Sequence, residues 1–321
     1  MNQARPPQRL HGDARHRLTL FRAPQGSGRL VVCFEPGRDR MDGFEPTACP
    51  RFADRLGIDA LTVQTAQRDW FLSDRSAALE AALRRACADY DEVTATGFSM
   101  GGYGALLYSR TIRARRLLVV SPQYCIDPRV APWDPDRHGK FARIGREMPR
   151  PEERGDPQVG GLMLYDPAIR ADRHHAALIR AAFPNLLAVA LPHGGHPASG
   201  VIGDPGAGKA GGVGRISAML VRDLLDAAKV RQMHRAARHG AERYRLNLAL
   251  AAIRRHAGRA LPLLAELAQD GAPQIRFEAG LALLALDETQ GSAALSQLLC
   301  DIPNPPPGWQ RRIARALAEH G

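Results

Sequence analysis

The sequence predicts an α/β fold, with a mostly parallel sheet followed by a small all-α C-terminal domain, on three observations. From residue 17 to about 197, short apolar runs rich in β-branched residues alternate with stretches of helical period. One run ends in a glycine-framed serine, Gly97-Phe98-Ser99-Met100-Gly101-Gly102, and small helix-forming residues follow it. Beyond about Arg215 the pattern is helical throughout.

Taken in order, residues 1–16 read as an arm rich in Arg, Pro, Gln and His, with no apolar signal core. Strands are expected over Arg17–Ala23, Arg29–Phe34, Ala60–Gln64, Glu92–Gly97, Arg116–Ser121, Gly161–Tyr165 and Leu186–Leu191, and helices over 48–56, 74–88, 101–109 and 172–183. These make a sheet domain over residues 17–228. Residues 128–160, dense in Arg, Pro and Asp and carrying Trp133, read as a cap-like insertion at the C-terminal edge of the sheet, too polar and short for a lid that opens on lipid. Residues 229–321 form the helical domain. Its segments 241–256, 259–269, 273–286 and 292–300 suggest two hairpins, since Leu246–Ala251 aligns on Phe277–Ala282 and Ala260-Leu261 on Ala294-Leu295, offsets of 31 and 34 residues. The tail resembles a degenerate tetratricopeptide or HEAT-like pair and is expected to pack on the first domain, on a second copy or on a partner protein.

Composition excludes several function classes. No run approaches the ~18 apolar residues that a membrane span needs, so a cytoplasmic protein is expected. Five scattered cysteines, with no paired Cys or Cys/His spacing, suggest neither a disulfide frame nor a metal site, and no cofactor is implied. The net charge of +11 is almost all arginine, because lysine occurs only at 140, 209 and 229. With the heavy use of Ala, Gly and Pro this reads as the codon bias of a GC-rich bacterial genome, not as a nucleic-acid surface. The basic stretch Arg231, His234, Arg235, Arg238, His239, Arg243 and Arg245 lacks interleaved aromatics and reads as a solvated helix face. Gly203–Lys209 has the spacing of a phosphate loop, but Ala210 stands where a magnesium-binding hydroxyl is required, so it reads as a linker.

The chemistry is expected at Ser99. A serine on a sharp strand-to-helix turn needs small residues two before and two after it, and Gly97 and Gly101 supply them. The Met100 N–H, at the helix N-terminus, is placed to stabilise an oxyanion. This stretch resembles the α/β-hydrolase superfamily, and Ser99–Ala105 is similar to esterase D and S-formylglutathione hydrolase relatives. The resemblance implies serine, acid and histidine in that chain order, a catalytic triad, and no cofactor.

For the acid, Asp166 at the end of the strand over 161–165 is favoured, and Asp172, read as a helix cap, is the alternative. For the base, His196 in Pro192-His193-Gly194-Gly195-His196-Pro197 is favoured, with His193 as the alternative. His174 and His175 read as solvated or capping groups. The second oxyanion donor must come from Glu35 or Gly37, because Pro36 has no N–H. A small soluble ester or thioester is the expected substrate, and Arg129, Arg137, Arg143 and Arg146 suggest an anionic moiety on it. The competing reading is an inactive hydrolase-fold scaffold that recruits a protein through its helical tail.

Overall fold

The computed structural model describes residues 6–38, 40–206 and 212–320. Eight strands form one sheet: β1 (Gln8–Gly12), β2 (His16–Phe21), β3 (Arg29–Phe34), β4 (Asp59–Thr65), β5 (Glu92–Phe98), β6 (Arg116–Val120), β7 (Gly160–Tyr165) and β8 (Leu186–Ala190). Their spatial order is β1-β2-β4-β3-β5-β6-β7-β8. β2 pairs antiparallel with β1 and β4, and every other pairing is parallel. The α/β architecture that the alternating runs predict is present, with a mostly parallel sheet and helices after it. Burial explains why the apolar runs are nearly continuous: all seven residues of β4 are buried, as are Val93–Gly97 of β5, so both faces of the central strands are covered.

The arm expected over residues 1–16 contains β1. Its residues Gln8–Gly12 are largely exposed and carry no apolar alternation, and the pairing to β2 is interrupted by an irregularity between Arg9 and His11. A polar, bulged edge strand of this kind discourages further strand pairing and leaves no hydrophobic signal to read.

The crossovers are α1 (Arg51–Leu56), α2 (Ser76–Cys87), α3 (Met100–Leu107), α4 (Pro135–Ile144), α5 (Pro151–Arg154) and α6 (Arg170–Ala182). Two of them, α4 and α5, lie within the cap-like stretch between β6 and β7. α3 is wholly buried and packs on β3, β5 and β6. Its approach to β5 is close: a Cβ at Gly97 would lie 2.1 Å from the Gly101 carbonyl oxygen, and one at Gly101 would lie 2.4 Å from that of Phe34.

After β8 come α7 (Gly200–Gly203), α8 (Val213–Val221), α9 (Ala227–Ala237), α10 (Glu242–Asp270), α11 (Pro273–Leu284), α12 (Glu288–Asp301) and α13 (Pro307–His320). The phosphate-loop-like stretch runs into residues 207–211, outside the described residues. The two segments expected over 241–256 and 259–269 form α10, which breaks at His256 (φ −144°, ψ 49°).

The chain divides into two compact units. The first holds the chain up to Pro192, His196–Ser199 and Gly212–Gln232; the second holds His193–Gly195, the described part of 200–211, and the chain from Met233 on. In the second, α11 packs with α10 over Leu246, Leu264, Ile275 and Leu283 and with α12 over Leu284, Leu295 and Leu298, and Phe277 stacks on Trp309 at 4.3 Å. The basic stretch is partly internal there: His234 is buried, Arg243 pairs with Glu278 and Arg245 with Glu266. No helix among the described residues is long and apolar enough to cross a membrane.

Because the Gly97 crossing leaves no room for a methyl group, Gly97→Ala is expected to lower stability by about 3 kcal/mol or more, the scale of overpacking in a rigid core. Chemical denaturation of purified wild type and variant checks this.

Candidate active site

The site lies at the C-terminal edge of the sheet, within the first unit, where β5 turns into α3. Ser99 occupies the turn with φ 51° and ψ −118°, a conformation that costs a non-glycine residue about 1–3 kcal/mol and points to a constraint worth keeping. Its N–H donates to the Val120 carbonyl (2.8 Å), which pins the turn to β6. Its Oγ is 2.9 Å from Nε2 of His196. The His196 ring in turn sets Nδ1 2.9 Å and 3.2 Å from the two carboxylate oxygens of Asp172. Asp172 is buried, whereas the His196 side chain is 26% exposed and open to an incoming group.

Asp166, the acid favoured from the sequence, does other work. Its Oδ1 accepts the Ala168 N–H (2.9 Å), shaping the turn between β7 and α6. The carboxylate on His196 belongs to Asp172, which is not a helix cap: Ile169 holds the cap position, and Asp172 is the third residue of α6. A carboxylate in a first helical turn is favoured by the helix dipole and the unpaired N–H groups there. His193, the alternative base, belongs to the second unit, where its ring meets Tyr244 edge-on at 5.7 Å and its carbonyl accepts from Asn247.

Hydrogen bonding fixes the tautomer of His196. Nδ1 faces a carboxylate and must donate; Nε2 faces the Ser99 hydroxyl and, at 3.4 Å, a guanidinium nitrogen of Arg137, which can only donate. Nε2 therefore carries the lone pair toward Ser99. The loop after His196 is held by the Ala198 N–H, which donates to Ser121 Oγ (3.0 Å).

Of the oxyanion candidates, Met100 is the first residue of α3, so its N–H has no acceptor within the helix. Glu35 is corrected as a donor. Its N–H extends the β3–β4 ladder to the Val63 carbonyl (3.0 Å), and its carboxylate faces Arg38 (3.1 Å). Pro36 has no N–H, which leaves Gly37 on that loop.

A further side chain on Ser99 comes from Gln123, three residues beyond β6 and fully buried. Its Nε2 donates to Ser99 Oγ (3.0 Å) and to the Ser121 carbonyl (3.3 Å), while its Oε1 accepts the Trp70 indole N–H (3.2 Å). The indole can only donate, so it fixes which end of the amide faces the serine. Trp70 and Phe71 both have positive φ (53° and 61°), a turn held by Asp69, whose Oδ1 accepts from the Phe71 N–H (2.9 Å) and the Thr65 hydroxyl (2.8 Å). Sequence reasoning passed over Gln123, although Ser121-Pro122-Gln123 ends a parallel strand at the edge where such folds place their ligands.

His175, read from the sequence as solvated or capping, is buried and structural. Its Nδ1 accepts the Tyr124 N–H (3.1 Å), so Nε2 carries the proton and donates to Asp134 (3.0 Å). Burial pushes the His175 pKa below its ordinary value, against the opposing pull of Asp134. Burial pushes the Asp134 carboxyl up, but the His175 hydrogen bond and the Arg137 charge outweigh it and hold the pKa below the usual range. Asp134 receives Arg137 Nη1 on both oxygens (2.8 and 3.0 Å), which aims Nη2 at His196. Trp133 stacks on His174 (4.8 Å) and meets His175 edge-on (4.5 Å). No cluster of three or more His, Cys, Asp or Glu that could hold a metal occurs among the described residues.

No protein-family profile matches this chain, and no curated protein matches it significantly. Solved structures similar in fold include the capsule O-acetyltransferase of Neisseria meningitidis serogroup A (11% identity, TM-score 0.45, covering 60% of this chain and 88% of that one). Est1E from Butyrivibrio proteoclasticus is similar at 15% identity and TM-score 0.40, covering 58% and 88%. Mycobacterium tuberculosis MPT51 is similar at 11% and 0.45, covering 70% and 98%.

A hydrogen bond between the imidazole and a buried carboxylate gives a far-downfield proton resonance. Asp172→Ala is expected to abolish that resonance in the proton NMR spectrum, and Asp166→Ala to retain it.

Proposed function

We propose that this protein is a serine hydrolase that cleaves a carboxylic ester or thioester through an acyl-Ser99 intermediate. One observation carries the reading: a strained, half-buried serine hydroxyl, an imidazole lone pair and a buried carboxylate stand in line at 2.9 Å and 2.9 Å.

In this mechanism His196 Nε2 takes the Ser99 proton as Oγ attacks the acyl carbon. Asp172 stabilises the imidazolium that forms and keeps the ring in its tautomer. The oxyanion accepts from Met100 N–H, aided by the α3 dipole, with Gly37 N–H as the second donor. When the intermediate collapses, the acyl carbon–oxygen or carbon–sulfur bond breaks, and the leaving alcohol or thiol takes the proton from His196. Water, deprotonated by the same nitrogen, then frees the acid and restores Ser99. Gln123 acts at the first step. Its N–H occupies an acceptor site of Oγ, so the hydroxyl proton is directed to His196, and it stabilises the charge that grows on Oγ.

A fluorophosphonate is expected to label the wild type and not Ser99→Ala; absence of labelling on folded wild type would remove the reading. Gln123→Leu, which deletes one neutral hydrogen bond to the reacting oxygen, is expected to lower kcat by about 10-fold with little change in KM, measured on p-nitrophenyl acetate.

A further inference from the structure

Resting on that reading, the group beside His196 Nε2 bears on what leaves the site. The Arg137 side chain is 14% exposed, and Asp134 accepts from its Nη1 with both carboxylate oxygens. Asp134 is fixed in turn by the proton of His175, whose other ring nitrogen is occupied by the Tyr124 N–H. Nη2 is left over, and among the described residues its one hydrogen bond is to His196 Nε2 at 3.4 Å.

The charge of Arg137 is already matched. Asp134 faces it and His175 is neutral, so an imidazolium at His196 forms beside a pair with no net charge. Arg137 is therefore no free cation awaiting an anion. Of the arginines grouped with it from the sequence, Arg129 pairs with Asp127 and Arg143 donates to the Gly139 carbonyl. What Arg137 offers is a directed N–H.

A neutral imidazole nitrogen without a proton has one lone pair, in the ring plane. Ser99 Oγ at 2.9 Å and Arg137 Nη2 at 3.4 Å share that of Nε2, so both lie on the same side of it. When Nε2 takes the Ser99 proton, the lone pair is used up and the Arg137 N–H loses its acceptor. The leaving atom must then come to the Nε2 proton, which points where the lone pair did. That brings it within reach of Nη2.

We propose that Arg137 is a further catalytic residue on the leaving side, donating from Nη2 to the departing oxygen, and that the substrate is an alkyl oxygen ester and not a thioester. As the acyl carbon–oxygen bond breaks, its electron pair goes to the leaving oxygen, the Nε2 proton follows, and the oxyanion re-forms the carbonyl. Arg137 keeps its own protons and supplies only the hydrogen bond. An alkoxide is a strong base and a strong acceptor, so it gains from two donors. Sulfur is a weak acceptor, and a thiol of pKa about 8.5 departs as thiolate with little help, so a donor aimed there does little for a thioester. Asp134 is the positioning residue.

The test compares kcat/KM for three substrates that give one acyl-enzyme: ethyl acetate, S-ethyl thioacetate and p-nitrophenyl acetate, whose phenolate leaves unaided. Wild type is expected to favour ethyl acetate over S-ethyl thioacetate. Arg137→Lys keeps a charge for Asp134, but one ammonium cannot span Asp134 and His196 as the guanidinium fork does. It is expected to lower the ratio of ethyl acetate to either other substrate by at least about 10-fold, the scale of one hydrogen bond to a charged group. Asp134→Asn, which loosens the guanidinium, is expected to move both ratios in the same direction. Each ratio is internal to one variant, so a loss of folded protein cancels. Equal losses on all three substrates, or a wild type labelled at Ser99 that prefers the thioester or cleaves neither ethyl substrate, would overturn the role of Arg137 and leave the hydrolase reading standing. Folded wild type that takes no label removes both.

Discussion

The close crossing of β5 and α3 constrains everything else at this site. Gly97 and Gly101 approach until no side chain fits between them, and the chain can then reverse within one residue, Ser99, at a φ that side-chain-bearing residues seldom adopt. That strain is supported by burial of the whole of α3 and by the pin to β6. Its result is a hydroxyl lifted clear of the sheet edge and a helix N-terminus beside it. The remaining groups need only converge on that fixed point: His196 from the loop after β8, Asp172 from α6, Gln123 from the loop after β6.

Two rigid polar systems flank the serine, and each settles an orientation that would otherwise be free. On one side Trp70 fixes the Gln123 amide, so that a donor and not an acceptor meets Oγ. On the other, neutral His175 and Arg137 share the charge of Asp134, which aims the guanidinium at Nε2 of His196. Trp70, Gln123, Asp134 and His175 are buried, and hydrogen bonds between buried groups hold their geometry because an unmatched group there would cost about 1–3 kcal/mol.

What could be read from the sequence follows the range of the interactions involved. The strand, turn and helix around Ser99 are local, and glycine spacing states their geometry directly. His196 is recognisable from Gly-Gly on a loop past the last strand. The acid was legible only as a choice between Asp166 and Asp172, because a strand end is visible in sequence whereas the reach from the first turn of α6 back to His196 depends on how the 166–169 turn folds. Gln123, Trp70 and the buried role of His175 depend on contacts between residues 41 to 53 positions apart, and no short pattern encodes those. β1 was missed for a different reason: an exposed edge strand has no apolar face to display. For Glu35, the backbone partner across the sheet decides its role, and that partner, Val63, lies in another strand.

A crystal structure of the covalent phosphonate adduct would test the central geometry most directly. The expected result is phosphorus bonded to Ser99 Oγ, its oxyanion-equivalent oxygen within hydrogen-bonding distance of the Met100 N–H, and Asp172 still on Nδ1 of His196. Modification at another residue, or a phosphonyl oxygen turned away from Met100 with His196 displaced from Ser99, would contradict it.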